Sequence, residues 1–242
     1  MKRIHVEADL REGATVALDR AGANRILNVL RMRDGAPVAL FNGRHGEWRA
    51  RVATTGRRSA ELRVDARLRP QPPAPRLDVL LAPIKRLDYA VQKAVEMGAG
   101  HVRPVETEFT QARARLDKME TYAAEAAEQC GALHVPAVDG IAPLFTVLDG
   151  WDGRPLVFCD ESMAGGAGGD EGADPLAVLG DVAPGPLAVL IGPEGGFSDG
   201  ERERLRALPC TVPLPLGPRI LRADTALVAA LALVQARLGD WR

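Results

Sequence analysis

The sequence predicts two domains, a small β-rich domain followed by a larger α/β domain with a parallel sheet. Three observations lead to this prediction. The first 69 residues have mainly strand patterns, residues 69–76 hold four prolines, and the remainder alternates apolar strands with helical periodicity. The 242 residues are 46% hydrophobic and 26% charged, which is the balance of a globular protein with room for two cores.

The first 69 residues have mainly strand patterns. Two predicted strands flank a turn at Asn42-Gly43, and residues 59–69 follow as a further strand. Alternate positions of that strand are apolar, which predicts one face in a core, formed by Ala60, Leu62, Val64, Ala66 and Leu68. A short helix is predicted around residues 22–31, and a small β-barrel is the closed form that such strands favour.

Residues 69–76 mark the predicted domain boundary. Proline cannot continue a helix or a central strand, so this stretch predicts a stiff extended connector. The charge changes sign at the same place. Residues 1–76 carry 16 Lys or Arg against 8 Asp or Glu, whereas residues 77–242 carry 15 against 24. We therefore predict a domain at 1–69, a linker at 70–76 and a second domain at 77–242. A basic first domain fits polyanion binding or, equally, a solvated arginine-rich surface.

The second domain alternates strand and helix patterns. Fully apolar strands between helices predict a parallel sheet that is covered on both faces. The predicted strands are residues 77–83, 101–106, 155–161 and 187–192, and the predicted helices are residues 87–99, 114–130, 199–207 and 223–238. Residues 163–175 are rich in glycine and predict a flexible loop. A phosphate-binding loop is disfavoured, because the stretch has no GxxxxGK(S/T) motif and no lysine nearby.

Several kinds of site are not supported by the sequence. Cys130, Cys159 and Cys210 are far apart and the histidines are scattered, so we expect neither a disulfide framework nor a metal site. The longest apolar run has nine residues, whereas a membrane-spanning helix needs about 20. The N-terminus carries Glu7 and Asp9 where a signal peptide would be apolar. We expect a cytoplasmic protein without a membrane partner or a metal.

The loop at residues 191–201 follows an apolar strand and precedes a predicted helix. Its glycines allow a ligand to approach the backbone closely, and in open α/β sheets ligands bind beyond the carboxyl ends of the strands. Ser198 and Glu201 have the spacing of a capping box for the helix that follows. The alternative is a glycine-rich turn that only changes the chain direction.

A second loop, at residues 214–226, joins an extended segment to the last helix. Arg219 and Arg222 flank the apolar pair Ile220 and Leu221, and Asp224 is placed to cap the helix. The alternatives are arginines paired with surface carboxylates and an apolar pair that belongs to the core.

Both loops resemble motifs of a known family. The segments IGPEGGFS at 191–198 and LGPRILR at 216–222 have the strongest likeness, and residues 25–43, 89–107 and 127–138 match further family segments in the expected order. On these motifs the chain resembles the RsmE-type 16S ribosomal RNA (uridine-N3) methyltransferases of the SPOUT superfamily. The resemblance spans nearly the whole chain.

This resemblance implies an N-terminal PUA-like β-barrel that binds RNA and a C-terminal SPOUT-type α/β domain with a trefoil knot. It further implies a homodimer that acts on 16S rRNA or the small ribosomal subunit, with S-adenosyl-L-methionine as the cofactor. The residues that it places around the cofactor are Cys159, Glu161, Ile191, Gly192, Pro193, Gly195, Gly196, Leu216, Gly217, Ile220, Leu221 and Arg222.

Methylation at N3 of uridine sets the chemistry that is expected. The N3 atom bears a proton and is a poor nucleophile, so the reaction needs a base or a cation that stabilises the uracil anion. Arg222 is the candidate cation, or a residue that positions a phosphate. Glu194 is a candidate base or a residue that holds its loop, and Glu108 is a weaker candidate base. The candidate RNA contacts are Arg25, Arg31, Arg33, Lys85, Arg86 and Arg219.

The sequence departs from the family pattern at three motifs. The usual LRTET is LRADT at 221–225, SERS is TEFT at 107–110, and EQxGR is EQCGA at 128–132. These changes put single RNA contacts in doubt more than the cofactor site. Two alternatives therefore remain open: a ribose 2′-O-methyltransferase of the same superfamily, and an RNA-binding protein without catalysis.

Overall fold

A computed structural model describes residues 1–56, 58–166 and 174–241 of the chain. The chain divides into two compact units. The N-terminal unit comprises Met1–Ala74 together with Ala127–Val135, and the C-terminal unit comprises Pro75–Ala126 and Pro136–Arg242. Most of the predicted glycine-rich loop falls outside the described residues.

The N-terminal unit is built on a mixed sheet. Its described residues form five strands: β1 (Lys2–His5), β2 (Thr15–Ala17), β3 (Pro37–Phe41), β4 (Glu47–Gly56) and β5 (Ser59–Arg69). The strand order is β1-β3-β4-β5-β2, with β1 parallel to β3 and the other pairs antiparallel. Gly43, with φ +74°, turns the chain between β3 and β4 as the sequence predicts.

The alternation predicted for β5 holds only over its first half. Ala60, Leu62 and Val64 are buried in the core of the unit, but Ala66 is only half-buried and Leu68 is 41% exposed. The pairing of β5 with β4 shifts register twice in the second half of β5, over residues 64–69. Such bulges interrupt the period of two, so the expected core position of Leu68 is wrong.

A short helical segment covers the predicted helical region. Helix α1 (Arg20–Asn24) begins at Asp19, whose carboxylate accepts from the Gly22 amide at 2.7 Å. It continues into a π-helical turn over Arg25–Val29, which buries Ile26. Arg31 follows with φ +53°, a left-handed conformation that is uncommon for a residue other than glycine.

Residues 127–135 belong to the N-terminal unit, and Arg3 is one of the residues that bind them. Its Nη1 donates to the carbonyls of Ala127 at 2.7 Å and Glu128 at 3.0 Å, and its Nη2 donates to that of Ala132 at 2.7 Å. The Ala127 and Glu128 carbonyls lie in the last turn of a helix that ends at Cys130, where carbonyls have no helical partner. The Arg3 Nε also donates to the buried Glu47 at 2.7 Å, which fixes the guanidinium.

The C-terminal unit contains a parallel sheet, as predicted. Its described strands are β6 (Leu77–Leu81), β7 (His101–Glu106), β8 (Ala137–Val138), β9 (Ala142–Pro143), β10 (Leu156–Cys159), β11 (Leu187–Ile191) and β12 (Thr211–Pro213). The order is β12-β10-β11-β6-β7-β8, β9 pairs with β7, and all these pairs are parallel. Every residue of β6, β10 and β11 is buried, as expected for strands covered on both faces.

Helices alternate with these strands along the chain. They are α2 (Leu87–Glu96), α3 (Leu116–Cys130), α4 (Leu144–Asp149), α5 (Pro175–Gly180), α6 (Asp199–Ala207) and α7 (Ala223–Arg237). The predicted helices correspond to α2, α3, α6 and α7. In the part of the chain that the structure describes, none of the helices has both the length and the apolar character needed to span a membrane.

Candidate active site

A cavity of about 650 Å³ lies at the carboxyl ends of the parallel strands. Four strands that are neighbours in the sheet, β12, β10, β11 and β6, lead into the segments that line it. These segments are residues 83–86, 159–161, 191–196 and 214–226. The strand order thus brings together loops that are far apart in the sequence, at the edge where such sheets bind ligands.

Each residue predicted to surround a cofactor lines this cavity. Three of the predicted RNA contacts, Lys85, Arg86 and Arg219, line it as well, and so does the candidate base Glu194. Glu108 is not among the lining residues. The volume is within the range of about 300–1,000 Å³ that is usual for small-molecule sites.

The first loop holds its shape through close contacts. A side chain at Gly192 would come within 2.6 Å of the Phe197 ring, and one at Gly196 within 2.2 Å of Glu161 Oε1. The Phe197 ring is buried and packs edge-on against Phe158, with ring centroids 5.0 Å apart. The buried Phe197 ring thus leaves no room for a side chain at Gly192, and Gly196 has φ +73°, a backbone conformation that favours glycine.

The predicted capping box is confirmed at the start of α6. The Glu201 N–H donates to Ser198 Oγ at 3.3 Å, and the Ser198 N–H donates to Glu201 Oε2 at 3.0 Å. The other Glu201 oxygen accepts from the Glu108 N–H at 2.9 Å. Glu108 is thus tied to this helix start through its backbone.

The sequence did not predict a group of paired charges in which two cavity-lining carboxylates are bound by arginines that do not line the cavity. Asp160, whose side chain is fully buried, accepts from Arg206 at 2.6 Å and contacts Arg202 Nε at 3.3 Å. Glu161 accepts from Arg202 and from the Phe197 N–H. These ion pairs join the end of β10 to α6 and to the first loop.

Cys159 ends strand β10 and faces the cavity. Burial disfavours the thiolate and raises the pKa of the Cys159 thiol to about 12. The thiol therefore stays protonated at neutral pH and offers a small apolar surface rather than a nucleophile.

The second loop presents apolar side chains to the cavity. Ile220 lines the cavity and is 79% exposed, so the alternative that it belongs to the core is wrong. Leu216 and Leu221 are half-buried lining residues on either side. The loop follows Leu214, whose N–H donates to the Phe158 carbonyl at 2.9 Å and anchors it beside β10.

Arginines around this loop differ in their partners. Arg86 donates to Asp224 at 3.0 Å and stacks over the Tyr89 ring at 4.4 Å. Among the described residues, no carboxylate forms an ion pair with Arg219 or Arg222, both of which are exposed. Arg222 takes the N-cap position of α7 without a side-chain capping bond, so the expected capping by Asp224 is wrong.

Two further charged groups at the cavity are also unpaired within the described part of the chain. Lys85 and Glu194 are exposed, line the cavity and have no ion-pair partner there. Among all the residues that the structure describes, there is no group of His, Cys, Asp or Glu side chains that could hold a metal ion. The cavity therefore presents backbone, apolar walls and a few uncompensated charges.

Two family models match the chain over most of its length. An RNA methyltransferase domain matches residues 71–235, and an RNA methyltransferase PUA domain matches residues 23–65. The chain belongs to the RNA methyltransferase family. The first match contains every segment that lines the cavity.

Relatives of this RNA methyltransferase cover nearly the whole chain. The ribosomal RNA small subunit methyltransferase E of Rickettsia conorii is 26% identical, over 96% of this chain and 94% of the relative. The protein of the same name from Synechocystis sp. is 29% identical, over 93% and 74%. A crystal structure of the Neisseria gonorrhoeae enzyme of that name, bound to S-adenosyl methionine, matches with a TM-score of 0.86 and 28% identity over 100% of both chains.

The PUA match of this RNA methyltransferase contains the remaining predicted RNA contacts. Arg31 and Arg33 are exposed and, within the residues described, form no ion pair with a carboxylate. Arg25 differs, because both of its terminal nitrogens donate to the nearly buried Glu128. The structure thus separates one paired arginine from two whose charges are exposed.

Proposed function

We propose that this RNA methyltransferase transfers a methyl group from S-adenosylmethionine to N3 of a specific uridine in 16S rRNA of the small ribosomal subunit. The names of the full-length relatives and the cofactor in the Neisseria structure support methylation of small-subunit rRNA with this donor. The choice of uridine N3 is supported by the motifs at 191–198 and 216–222. The cavity, with its unpaired Arg222, is the observation that supports this chemistry best.

The residues at the cavity fit S-adenosylmethionine. Ile220 and Leu216 give apolar surface for the adenine ring of the cofactor. Binding of this ring would also explain why Ile220 is exposed. Gly192 and Gly196 have no side chains, so the backbone amides and carbonyls of the first loop can bind polar atoms of the cofactor. The carboxylate of Glu194 suits a ligand that carries positive charge.

The proposed cofactor contacts are the twelve lining residues that the sequence analysis names, the first of which is Cys159 and the last Arg222. When bound, S-adenosylmethionine supplies an activated methyl group, so the protein mainly has to orient the two reactants. The first loop is held rigidly by Glu161 and Phe197. Such preorganisation lowers the entropic cost of orienting a bound ligand.

Arg222 is the proposed stabiliser of the uracil anion. Its guanidinium has no carboxylate partner in the described structure, so its charge is available to a negative ligand. It also lies at the N-terminus of the 15-residue helix α7, where the helix dipole favours negative charge. Both effects favour loss of the N3 proton, which makes N3 nucleophilic.

Glu194 remains the proposed proton acceptor. Its exposed position at the cavity supports this role, in which the carboxylate takes a proton from a bound uracil or passes it to water. N3 lies on the pairing edge of uracil, so the target base must be single-stranded or flipped out to be reached.

The remaining assignments concern the assembly. We propose that Arg31 and Arg33 contact RNA phosphates, with Lys85, Arg86 and Arg219 as contacts nearer the reacting base. From the family resemblance we also propose a barrel-like PUA domain, a C-terminal trefoil knot whose loops are residues 159–161, 191–196 and 216–222, and a homodimer. A cytoplasmic location follows from the proposed substrate, since ribosomal subunits are assembled there.

Product analysis tests the proposed function directly. Purified protein is incubated with labelled S-adenosylmethionine and small subunits that lack the modification, and the rRNA is digested to nucleosides for mass spectrometry. We expect labelled N3-methyluridine. A 2′-O-methyl nucleoside would contradict the assigned acceptor atom, and cofactor binding without any product would contradict the assigned substrate.

A further inference from the structure

We propose that Arg202 is a positioning residue for the cofactor loop, defined as residues 191–197, and that it acts through Glu161. Arg202 lies on α6 and does not line the cavity. The inference rests on the proposed function, because it assigns the loop to binding S-adenosylmethionine. It predicts that a residue behind the cavity wall controls affinity for the cofactor.

Glu161 links Arg202 to the loop. Its Oε1 accepts the Phe197 N–H at 3.2 Å and also accepts from Arg202 Nη2. A side chain at Gly196 would meet the same oxygen at 2.2 Å, so the loop backbone lies directly against the carboxylate. Glu161 is therefore one of the groups that hold residues 196 and 197 in place.

Arg202 in turn fixes Glu161. Its guanidinium lies among three carboxylates, with Nη1 at 2.8 Å from Asp199 Oδ1 and Nε at 3.3 Å from the fully buried Asp160. Burial opposes the charge, but the hydrogen bond to Glu161 and the surrounding carboxylates outweigh it and hold the pKa of Arg202 above its usual value. A permanently charged, forked donor suits this role, because it can bind two carboxylates at once.

Two roles for Glu161 give different results on substitution. If its negative charge binds the cofactor directly, Glu161→Gln should weaken binding as much as Glu161→Ala. In the positioning role the glutamine oxygen still accepts the Phe197 N–H. Glu161→Gln should then retain most of the affinity, while Glu161→Ala loses it.

Helix α6 offers a matched control for Arg202. Arg204 lies two residues away, pairs with Asp149 at 2.8 Å and stacks over the Phe145 ring at 3.9 Å. It does not line the cavity and contacts neither Glu161 nor Asp160. Arg202→Gln and Arg204→Gln therefore make the same chemical change on the same helix, but only the first removes a link to the loop.

Titration calorimetry of S-adenosylmethionine into the full-length protein tests the inference. We expect Arg202→Gln to raise the Kd about tenfold or more, as for the loss of a charged hydrogen bond, and Arg204→Gln to leave it unchanged. Arg202→Lys should recover part of the affinity. In steady-state assays Arg202→Gln should raise the KM for S-adenosylmethionine and change kcat much less.

Three outcomes would overturn the inference. Arg202→Gln could bind the cofactor as tightly as the wild type, Arg204→Gln could lose as much affinity, or Glu161→Gln and Glu161→Ala could be equally impaired. Thermal unfolding of each variant separates loss of binding from loss of folding, and Arg202→Lys provides a second variant in which a positive charge remains. Failure of the wild type to bind S-adenosylmethionine would instead refute the proposed function.

Discussion

Two sets of charged residues at the carboxyl edge of the parallel sheet differ in their partners. In one set the cavity-lining carboxylates Asp160 and Glu161 are bound by Arg202 and Arg206, which do not line the cavity. At the cavity itself, Arg222 has no carboxylate partner among the described residues. Paired charges hold the loops in place, whereas unpaired charges remain available to a ligand.

The same contrast occurs among the arginines of the N-terminal unit. Arg25 binds Glu128, but Arg31 and Arg33 are exposed without a carboxylate partner in the described structure. An arginine is a good phosphate ligand only when its guanidinium is not already occupied. The contrast therefore predicts which substitutions alter folding and which alter binding or turnover.

The largest effect is expected for Arg222. Arg222→Ala should lower kcat by about 10²- to 10³-fold, as for the loss of a donor that stabilises a developing anion. Thermal unfolding should be unchanged, since the described structure contains no ion pair to break. Single-turnover methyl transfer at saturating cofactor measures the effect, with Arg204→Ala as the control. A rate within about threefold of the wild type would remove Arg222 from the reaction.

A change in stability is expected for the paired set. Asp160→Asn leaves two arginines beside a buried uncharged amide and should lower the free energy of unfolding by about 3 kcal/mol. Glu194→Gln, at an exposed and unpaired carboxylate, should change it by less than about 0.5 kcal/mol. Urea denaturation compares the two. Equal effects would contradict the division into paired and unpaired sets.

RNA binding should distinguish the arginines of the N-terminal unit. Arg33→Ala should weaken binding to small-subunit RNA and reduce the slope of log K against log salt by about one, as for one lost phosphate contact. Arg25→Ala should leave this slope unchanged and lower stability, because Glu128 is left nearly buried without that partner. A filter-binding series at several salt concentrations tests both. The opposite pattern would reverse the assignment.

The smallest effect concerns Arg86 and Asp224. The Arg86 side chain is 61% exposed, so a double-mutant cycle of Arg86→Ala and Asp224→Ala should give a coupling energy of about 0.5–1 kcal/mol. Because Arg86 is also a proposed RNA contact, Arg86→Ala should in addition weaken RNA binding and reduce the salt slope, whereas Asp224→Ala should not. An unchanged RNA affinity in Arg86→Ala would limit Arg86 to the ion pair.

Local sequence patterns predicted most of the strands and helices of the C-terminal unit. Apolar runs such as residues 187–191 and the capping box at Ser198 depend on neighbours in the sequence, so they are visible there. Both loops at the cavity were also found, because glycines and a family resemblance marked them. The pattern failed for Leu68, where a register shift in the pairing with β4 ended the alternation.

Contacts between distant segments were not predictable. Arg202 and Arg206 are four residues apart on a predicted helix, so a shared face was foreseeable. That this face meets Asp160 depends on the strand order β12-β10-β11-β6, which no local pattern gives. For the same reason the sequence did not show that residues 127–135 pack with Arg3 in the N-terminal unit.

The central claim is that the unpaired Arg222 makes uridine N3 reactive by stabilising its anion. The most direct test is the pH dependence of single-turnover methyl transfer, compared between wild type and Arg222→Ala with the cofactor saturating. Because the variant no longer favours loss of the N3 proton, its rate should keep rising to higher pH, and its deficit should shrink as the pH increases. A deficit that stays constant over the whole pH range would contradict the claim.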